Sequence, residues 1–181
     1  DSTGRHAVEP TSTNDDGVPD FVYEAAVAAE AAYERLVSEY GFRPHNDDEG
    51  EDGNEFDIYF SDLGIYYGLT TSEFITDGRT AYLEIENDFT GGFFTDDIEA
   101  VQVTVAHEYF HAVQFAYGFR QNDLFFYEMS SVWFEDDMYP EINDYLQYMP
   151  TFFRTLDIPF HVQNGWHCLL YTSPSPRDRS L

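Results

Sequence analysis

The sequence contains no lysine and only one cysteine among its 181 residues. Its eight basic side chains are all arginines and they face 35 acidic ones, so the formal net charge is -27. Such an acidic chain repels phosphate backbones, which argues against a nucleic-acid partner. A single cysteine excludes a disulfide framework within the chain. No apolar run approaches the roughly 18 residues of a membrane span, so we expect no transmembrane segment.

The cysteine itself lies in a segment that does not read as natural protein sequence. The string from Cys168 to Asp178 resembles the in-frame translation of a sequencing-library adapter. We therefore interpret residues 168–181 as a non-native tail, and we expect the natural protein to continue beyond His167. A natural disordered tail rich in serine and proline is the alternative. Because the chain begins at Asp1, we also expect a processed or partial N-terminus.

Aromatic side chains are abundant, with 17 Phe and 14 Tyr, and 43% of the residues are hydrophobic. This composition indicates a folded domain despite the charge, and the length suffices for a sizeable core. Acids spread over a lysine-free chain are typical of proteins that work in concentrated salt, where the screening length falls to about 3 Å at 1 M. We therefore expect a halophile-like surface.

The pattern of apolar residues predicts helices over residues 19–40, 96–117, 123–138 and 141–155, and strands over residues 56–60 and 80–85. Asp20 is expected to cap the first helix and Gly41 to end it. The second helical stretch carries alternating valines that also fit a strand, but its length, its acidic start and Gly118 after its end favour a helix. Strands followed by helices indicate an α+β fold.

The motif His107-Glu108-Tyr109-Phe110-His111 carries the strongest functional signal. Positions i and i+4 of a helix lie one turn apart, so both imidazoles project toward one metal ion. Zinc suits two neutral imidazoles and a carboxylate, with a fourth position for water. Glu108 lies about 100° around the helix from His107, where it can act as general base without binding the metal. The alternative is a pair of histidines that only hydrogen-bond to nearby carboxylates.

The third ligand distinguishes the subclasses of such zinc sites. A metzincin needs Gly and His at positions 114 and 117, but Gln114 and Tyr117 stand there. The following segment instead resembles the second zinc helix of the gluzincins, the group that contains thermolysin and the zinc aminopeptidases. The matching positions are Glu128, Ser131, Trp133 and Glu135.

The gluzincin resemblance implies that Glu128 is the third zinc ligand and that Glu135 orients a zinc-binding histidine. Asp136 is the alternative for the orienting role. A further alternative makes Glu135 the ligand and leaves Glu128 structural. Trp133 is expected to pack in the core rather than to contact substrate.

The resemblance extends beyond the zinc helices. Residues 56–70, 82–89, 103–114 and 133–148 together are similar to a family of secreted prokaryotic gluzincin-type metalloproteases. The similarity implies a zincin-like catalytic domain over residues 21–167, in which a mixed sheet precedes the zinc helices and the C-terminal part is missing. It also implies an extracellular location and a peptide or protein substrate.

Two more expectations come from this family. An edge strand before the zinc helix binds peptide by strand addition, and residues 82–86 are the candidate, with a plain core strand as the alternative. Gluzincins also use a later Tyr or His to stabilise the oxyanion. His161 is a candidate for that residue, and the missing C-terminal part is the alternative source.

A polar segment over residues 1–20 contains a second candidate metal site. Asn14, Asp16 and Asp20 resemble part of the calcium loop D-x-D-x-D-G-x-x-D, whose oxygen ligands alternate along the chain. The loop departs from that pattern because Ser12 replaces its first Asp and because it lacks the bidentate Glu. Calcium binding and an Asx-type turn at the start of the first helix are therefore both open.

Together these features predict a zinc metallopeptidase. Zinc on His107, His111 and Glu128 polarises the scissile carbonyl, and Glu108 moves a proton from water to the leaving amine. Two other functions stay open. One is a non-catalytic secreted domain that metal ions stabilise and that binds a partner, and the other is a zinc hydrolase of a non-peptide bond.

Overall fold

A three-stranded mixed sheet and four α-helices form the described part of the computed structural model, which comprises residues 3–14, 16–49, 55–75 and 78–159. The strands are β1 (Ile58–Ser61), β2 (Gly68–Ile75) and β3 (Gly78–Glu86). Their order in the sheet is β1-β3-β2, with β3 parallel to β1 and antiparallel to β2. The predicted α+β class and mixed sheet are confirmed, whereas the zincin fold and the domain boundaries stay predictions.

The central position of β3 overturns one expectation. Residues 82–86 belong to β3, which pairs with a strand on each side, so they are not an edge strand. Leu83 and Ile85 are fully buried, as in the alternative core strand. The edge beside the helices is β2, which the sequence did not predict. The middle of β2 consists of Thr, Ser and Glu residues, so its sequence lacks the alternation of apolar and polar residues that predicts a strand. The backbone hydrogen bonds to β3 hold this edge strand with little burial of its side chains.

The first helix, α1, spans Asp20–Tyr33 and continues as a π-helical segment over Glu34–Glu39. Gly41 ends it with a φ of 76°, a left-handed conformation that favours glycine. The predicted cap is wrong, because the residue before the helix is Pro19 and no side chain caps the first turn. The carboxylate of Asp20 instead accepts a hydrogen bond from the backbone N–H of Thr13, at 2.8 Å.

The second helix, α2, spans Asp97–Tyr117 and is the centre of the fold. It contacts α1 on one side, the third helix on another, and β2 and β3 beneath. Val101, Val103 and Val105 are all buried, because α1, α3 and the sheet cover most of this part of α2 and leave it no polar face. This enclosure explains why periodicity alone fitted a strand. The helix prediction, based on length and termini, is confirmed.

The third helix, α3 (Leu124–Met138), follows a short 3-10 turn and packs against α2. The predicted last helix is two pieces, a 3-10 turn at Asp144–Gln147 and α4 (Met149–Arg154). Trp133 packs against the core, as expected, with its ring 6.0 Å from that of Tyr40. None of the described helices combines the length and apolarity that a membrane crossing needs.

Candidate metal centre

Two imidazoles on α2 and one carboxylate on α3 converge on a common point. The Nε2 atoms of His107 and His111 lie 3.0 Å apart. Glu128 places Oε2 3.4 Å from Nε2 of His107 and Oε1 3.6 Å from Nε2 of His111. Within the described ranges, this is the one group of His, Cys, Asp or Glu residues found close enough to hold a metal ion.

The hydrogen bonds behind the rings fix which nitrogens face this point. Nδ1 of His107 lies 2.5 Å from Oε1 of Glu135, and Nδ1 of His111 lies 2.8 Å from Oε1 of Gln114. An amide oxygen only accepts hydrogen bonds, and so does the carboxylate of Glu135 when it is ionised, so in that state both Nδ1 atoms carry hydrogen. In the neutral imidazoles, both Nε2 atoms therefore present lone pairs to each other and to Glu128.

Three electron-pair donors that face one another repel unless a cation or a proton lies between them. Around a tetrahedral zinc ion with bonds of about 2.0–2.1 Å, ligand atoms are about 3.3 Å apart. The distances of 3.0, 3.4 and 3.6 Å bracket that value. The donor set of two imidazoles and a carboxylate therefore fits a divalent metal such as zinc in both chemistry and spacing.

Without a cation, a proton occupies the centre instead. Burial by itself lowers the pKa of His107, but hydrogen bonds with Glu128 and Glu135 outweigh burial and raise this pKa well above 6.5. Burial likewise opposes ionisation of Glu128, yet its bonds to the two histidines bring its pKa below the ordinary range. Burial raises the pKa of Glu135 to about 7, against the influence of His107. Metal binding must displace this proton.

Gln114 holds His111 in place, a role that the sequence interpretation missed. Its Nε2 donates to the carbonyl of Tyr127 at 3.2 Å and to Oγ of Ser130 at 2.9 Å, which fixes its oxygen toward His111. Ser131, which is fully buried, lies with Oγ 3.3 Å from the same Nδ1 atom. A glutamine three residues after the second histidine was the available signal, since i and i+3 share a helix face.

Glu108 lies beside the metal-binding group but points to β2. The Thr70 hydroxyl lies 2.6 Å from Oε2 and 2.8 Å from the carbonyl oxygen of Glu108, so its single proton serves both acceptors. β2 approaches very closely at Gly68, where an added Cβ would lie 2.9 Å from Cγ of Glu108 and 2.5 Å from Cγ2 of Thr104. β2 thus positions the carboxylate that the sequence predicted as general base.

An open cleft of about 850 Å³ runs over this group between β2 and the helices α2 and α3. Four of its lining residues are acids: Glu108, Glu128, Glu135 and Asp144. Most of the others are apolar or aromatic: Ile65, Tyr66, Tyr67, Leu69, Val103, Phe115, Phe119, Leu124, Tyr127, Val132 and Tyr148. The cleft therefore combines a group that could hold a metal ion, a neighbouring carboxylate and apolar walls.

The alternatives for the acidic residues differ in geometry. Glu135 contacts the outer nitrogen of His107, where an orienting residue belongs, and Glu128 faces the inner nitrogens. The structure thus brings together His107, His111 and Glu128 rather than a group based on Glu135. Glu135 makes the contact with His107 that the orienting role requires. His161 and the tail 168–181 lie outside the described residues.

The N-terminal acids Asp16 and Asp20 accept hydrogen bonds from residues of their own segment. Oδ1 of Asp16 accepts from the hydroxyl of Ser12 and the backbone N–H of Val18, as in an Asx-type turn. Oδ1 of Asp20 accepts from Thr13. Calcium binding through Asn14, Asp16 and Asp20 stays a prediction, which melting temperatures measured with and without calcium would test.

Comparison with known proteins returned no significant match: no protein-family model, no curated protein and no solved structure matches the chain. The functional argument therefore rests on the residues of this site and on their geometry.

Proposed function

We propose that the protein is a zinc-dependent metallopeptidase with a zincin-like catalytic domain of gluzincin type. One observation carries the proposal. The lone pairs of His107 and His111 and the carboxylate of Glu128 face a common point, next to Glu108 in an open cleft. Hydrolysis needs this combination of a Lewis acid, a base and room for a substrate.

In this proposal each side chain has one task. His107, His111 and Glu128 hold zinc, which supplies a Lewis acid for the scissile carbonyl and lowers the pKa of water toward about 7. Glu108 accepts the proton of the attacking water and delivers it to the leaving amine. The Thr70 hydroxyl holds the Glu108 carboxylate in position.

The substrate lies along β2 in this proposal. The outer side of β2 is free of strand partners among the described residues, and Leu69 and Ser72 line the cleft. An extended peptide can add to such an edge through backbone hydrogen bonds. Tyr148 lines the same cleft, and burial, followed by the charge of Asp144, raises the pKa of its phenol. A phenol kept protonated is a suitable donor to an oxyanion.

The test combines metal analysis with a change of the base. We expect the parent and the Glu108→Gln variant each to bind one equivalent of zinc, and only the parent to cleave peptides. Glu99→Gln is the matched control, because Glu99 is an exposed acid on the same helix. A Glu108→Gln protein as active as the parent would refute the assigned base, and a parent that binds zinc without cleaving any peptide would refute the proposed activity.

A further inference from the structure

The cleft contains one carboxylate whose burial the proposed reaction does not explain. Glu108 is held by Thr70, whereas Glu128 and Glu135 contact the histidines. The side chain of Asp144 also lines the cleft, yet within the described residues it is not hydrogen-bonded to any of these groups. Its presence therefore needs a separate physical reason.

Only one oxygen of Asp144 is satisfied. Oδ2 accepts a hydrogen bond of 2.7 Å from Nε2 of Gln147. Oδ1 is buried, and no donor of the described residues reaches it. The residue as a whole is only 6% exposed. Because a buried carboxylate oxygen without a partner is costly, proteins rarely retain one unless a ligand, an ion or a solvent molecule completes it.

The surroundings of Asp144 favour a cation on an apolar stem. Tyr67 and Tyr148 line the same cleft. Burial, with the Asp144 charge in addition, raises the pKa of both phenols, as expected for rings close to this carboxylate. Aromatic walls suit the methylene stem of a long side chain and attract a cationic head.

Among the described residues of the cleft, positive charge is confined to the metal-binding group of His107, His111 and Glu128, where a proton or a metal ion lies. No arginine is present among the described residues that line it, and the chain contains no lysine. Away from that group, at Asp144, a cationic side chain of a substrate therefore meets a carboxylate and no repelling base. An acidic side chain of a substrate would be repelled there instead.

We propose that Asp144 is the specificity-determining residue of the cleft and that it binds the guanidinium or ammonium group of a basic residue next to the scissile peptide bond. This assignment rests on the proposed peptidase function, because it takes the cleft as a peptide site. It predicts substrates rich in arginine or lysine near the cleaved bond.

The test uses peptides that differ only by arginine or citrulline, a side chain of the same shape without the charge. The substituted residue is moved through four positions around the scissile bond, at one fixed salt concentration. Binding is measured by calorimetry on the zinc-loaded Glu108→Gln protein, and kcat/KM is measured on the parent. We expect about tenfold tighter binding and about tenfold higher kcat/KM for arginine at one position.

Variants assign this preference to one side chain. Asp144→Asn keeps an acceptor for Gln147 and removes the charge, so the preference for arginine should disappear in both measurements. Glu141→Gln removes an exposed acid from the same segment and should leave the preference unchanged. Melting temperatures of both variants check that the fold is kept.

The outcomes separate the two proposals. Arginine-selective binding without any cleavage by the parent would refute the peptidase and keep the role of Asp144. Cleavage without a preference for arginine, or a preference that survives Asp144→Asn, would overturn the role of Asp144 and keep the peptidase. A preference for peptides with a free N-terminal amine, regardless of arginine, would also overturn it, and so would failure of every peptide to bind.

Discussion

The side-chain oxygen of Gln114 lies 2.8 Å from Nδ1 of His111, and this contact determines which nitrogen of the imidazole faces Glu128. The amide itself cannot turn without losing its bonds to Tyr127 and Ser130. α3, the predicted second zinc helix, thus acts on His111 in two ways. Its Glu128 lies in front of the ring, and its Tyr127 and Ser130 hold Gln114 of α2 behind the ring. The geometry of the metal-binding group therefore depends on how α3 packs against α2.

The first prediction concerns this contact. Gln114→Leu removes the acceptor of the Nδ1 hydrogen at similar volume, so we expect zinc affinity to fall about 10- to 100-fold. A competition titration against a chromophoric chelator measures the change. Gln102→Leu on the same helix is the control, because Gln102 bonds to Glu24 rather than to a histidine. Equal zinc affinity of the Gln114 variant and the parent would show that the contact does not support the ligand.

The second prediction concerns the close approach of β2 to α2. Gly68→Ala places a methyl group against Thr104 and Glu108, so we expect a loss of about 1–3 kcal/mol in stability from overpacking. Because Glu108 must also move, kcat should fall while zinc content stays the same.

A second-site change gives the control for Gly68→Ala. Thr104→Ser removes the Cγ2 atom that the new methyl group meets at 2.5 Å. The double variant should recover most of the melting temperature, but less of kcat, because the contact with Glu108 remains. A single Gly68→Ala variant with the stability and kcat of the parent would contradict the proposed positioning of the base.

What the sequence predicted well is local, and what it missed depends on distant packing. His107 and His111 share one helix, so their spacing predicted their convergence. Thr70 meets Glu108 across 38 positions of the chain, and spacing says nothing about that contact. Asp144 is an ordinary acid in an acidic sequence until the fold buries it beside the cleft.

The third prediction concerns pH in the metal-free protein. Glu135 has a folded-state pKa of about 7 against an ordinary value of 4.5, so its protonation stabilises the fold fully below pH 4.5 and is lost as the pH rises to about 7. The raised pKa of His107 acts in the same direction above pH 6.5. The lowered pKa of Glu128 stabilises the fold at every pH above 4.5. This contribution is lost only as the pH falls below 4.5, so it is constant between pH 5 and 8. We expect the melting temperature in a chelator to fall between pH 5 and 8.

Zinc should reverse this pH dependence, since the ion competes with protons for His107 and binds more tightly as the pH rises. The stabilisation by saturating zinc should therefore be larger at pH 8 than at pH 5. Glu135→Gln removes one of the titrating groups and should flatten the curve in chelator. A melting temperature that is constant from pH 5 to 8 without metal would argue against a shared proton at this site.

The last prediction concerns salt. With 35 acids and eight bases, the surface as a whole repels itself. At 0.1 M salt the screening length is about 10 Å, so neighbouring acids still repel one another. At 1 M the screening length is about 3 Å, so most of this repulsion is screened. We therefore expect the zinc-loaded protein to lose its fold in dilute buffer and its melting temperature to rise with potassium chloride. Sucrose at equal osmolality separates screening from solute exclusion, because it stabilises folded proteins without screening charge. Full stability in dilute buffer, or equal stabilisation by sucrose, would show that charge repulsion is not what limits the fold.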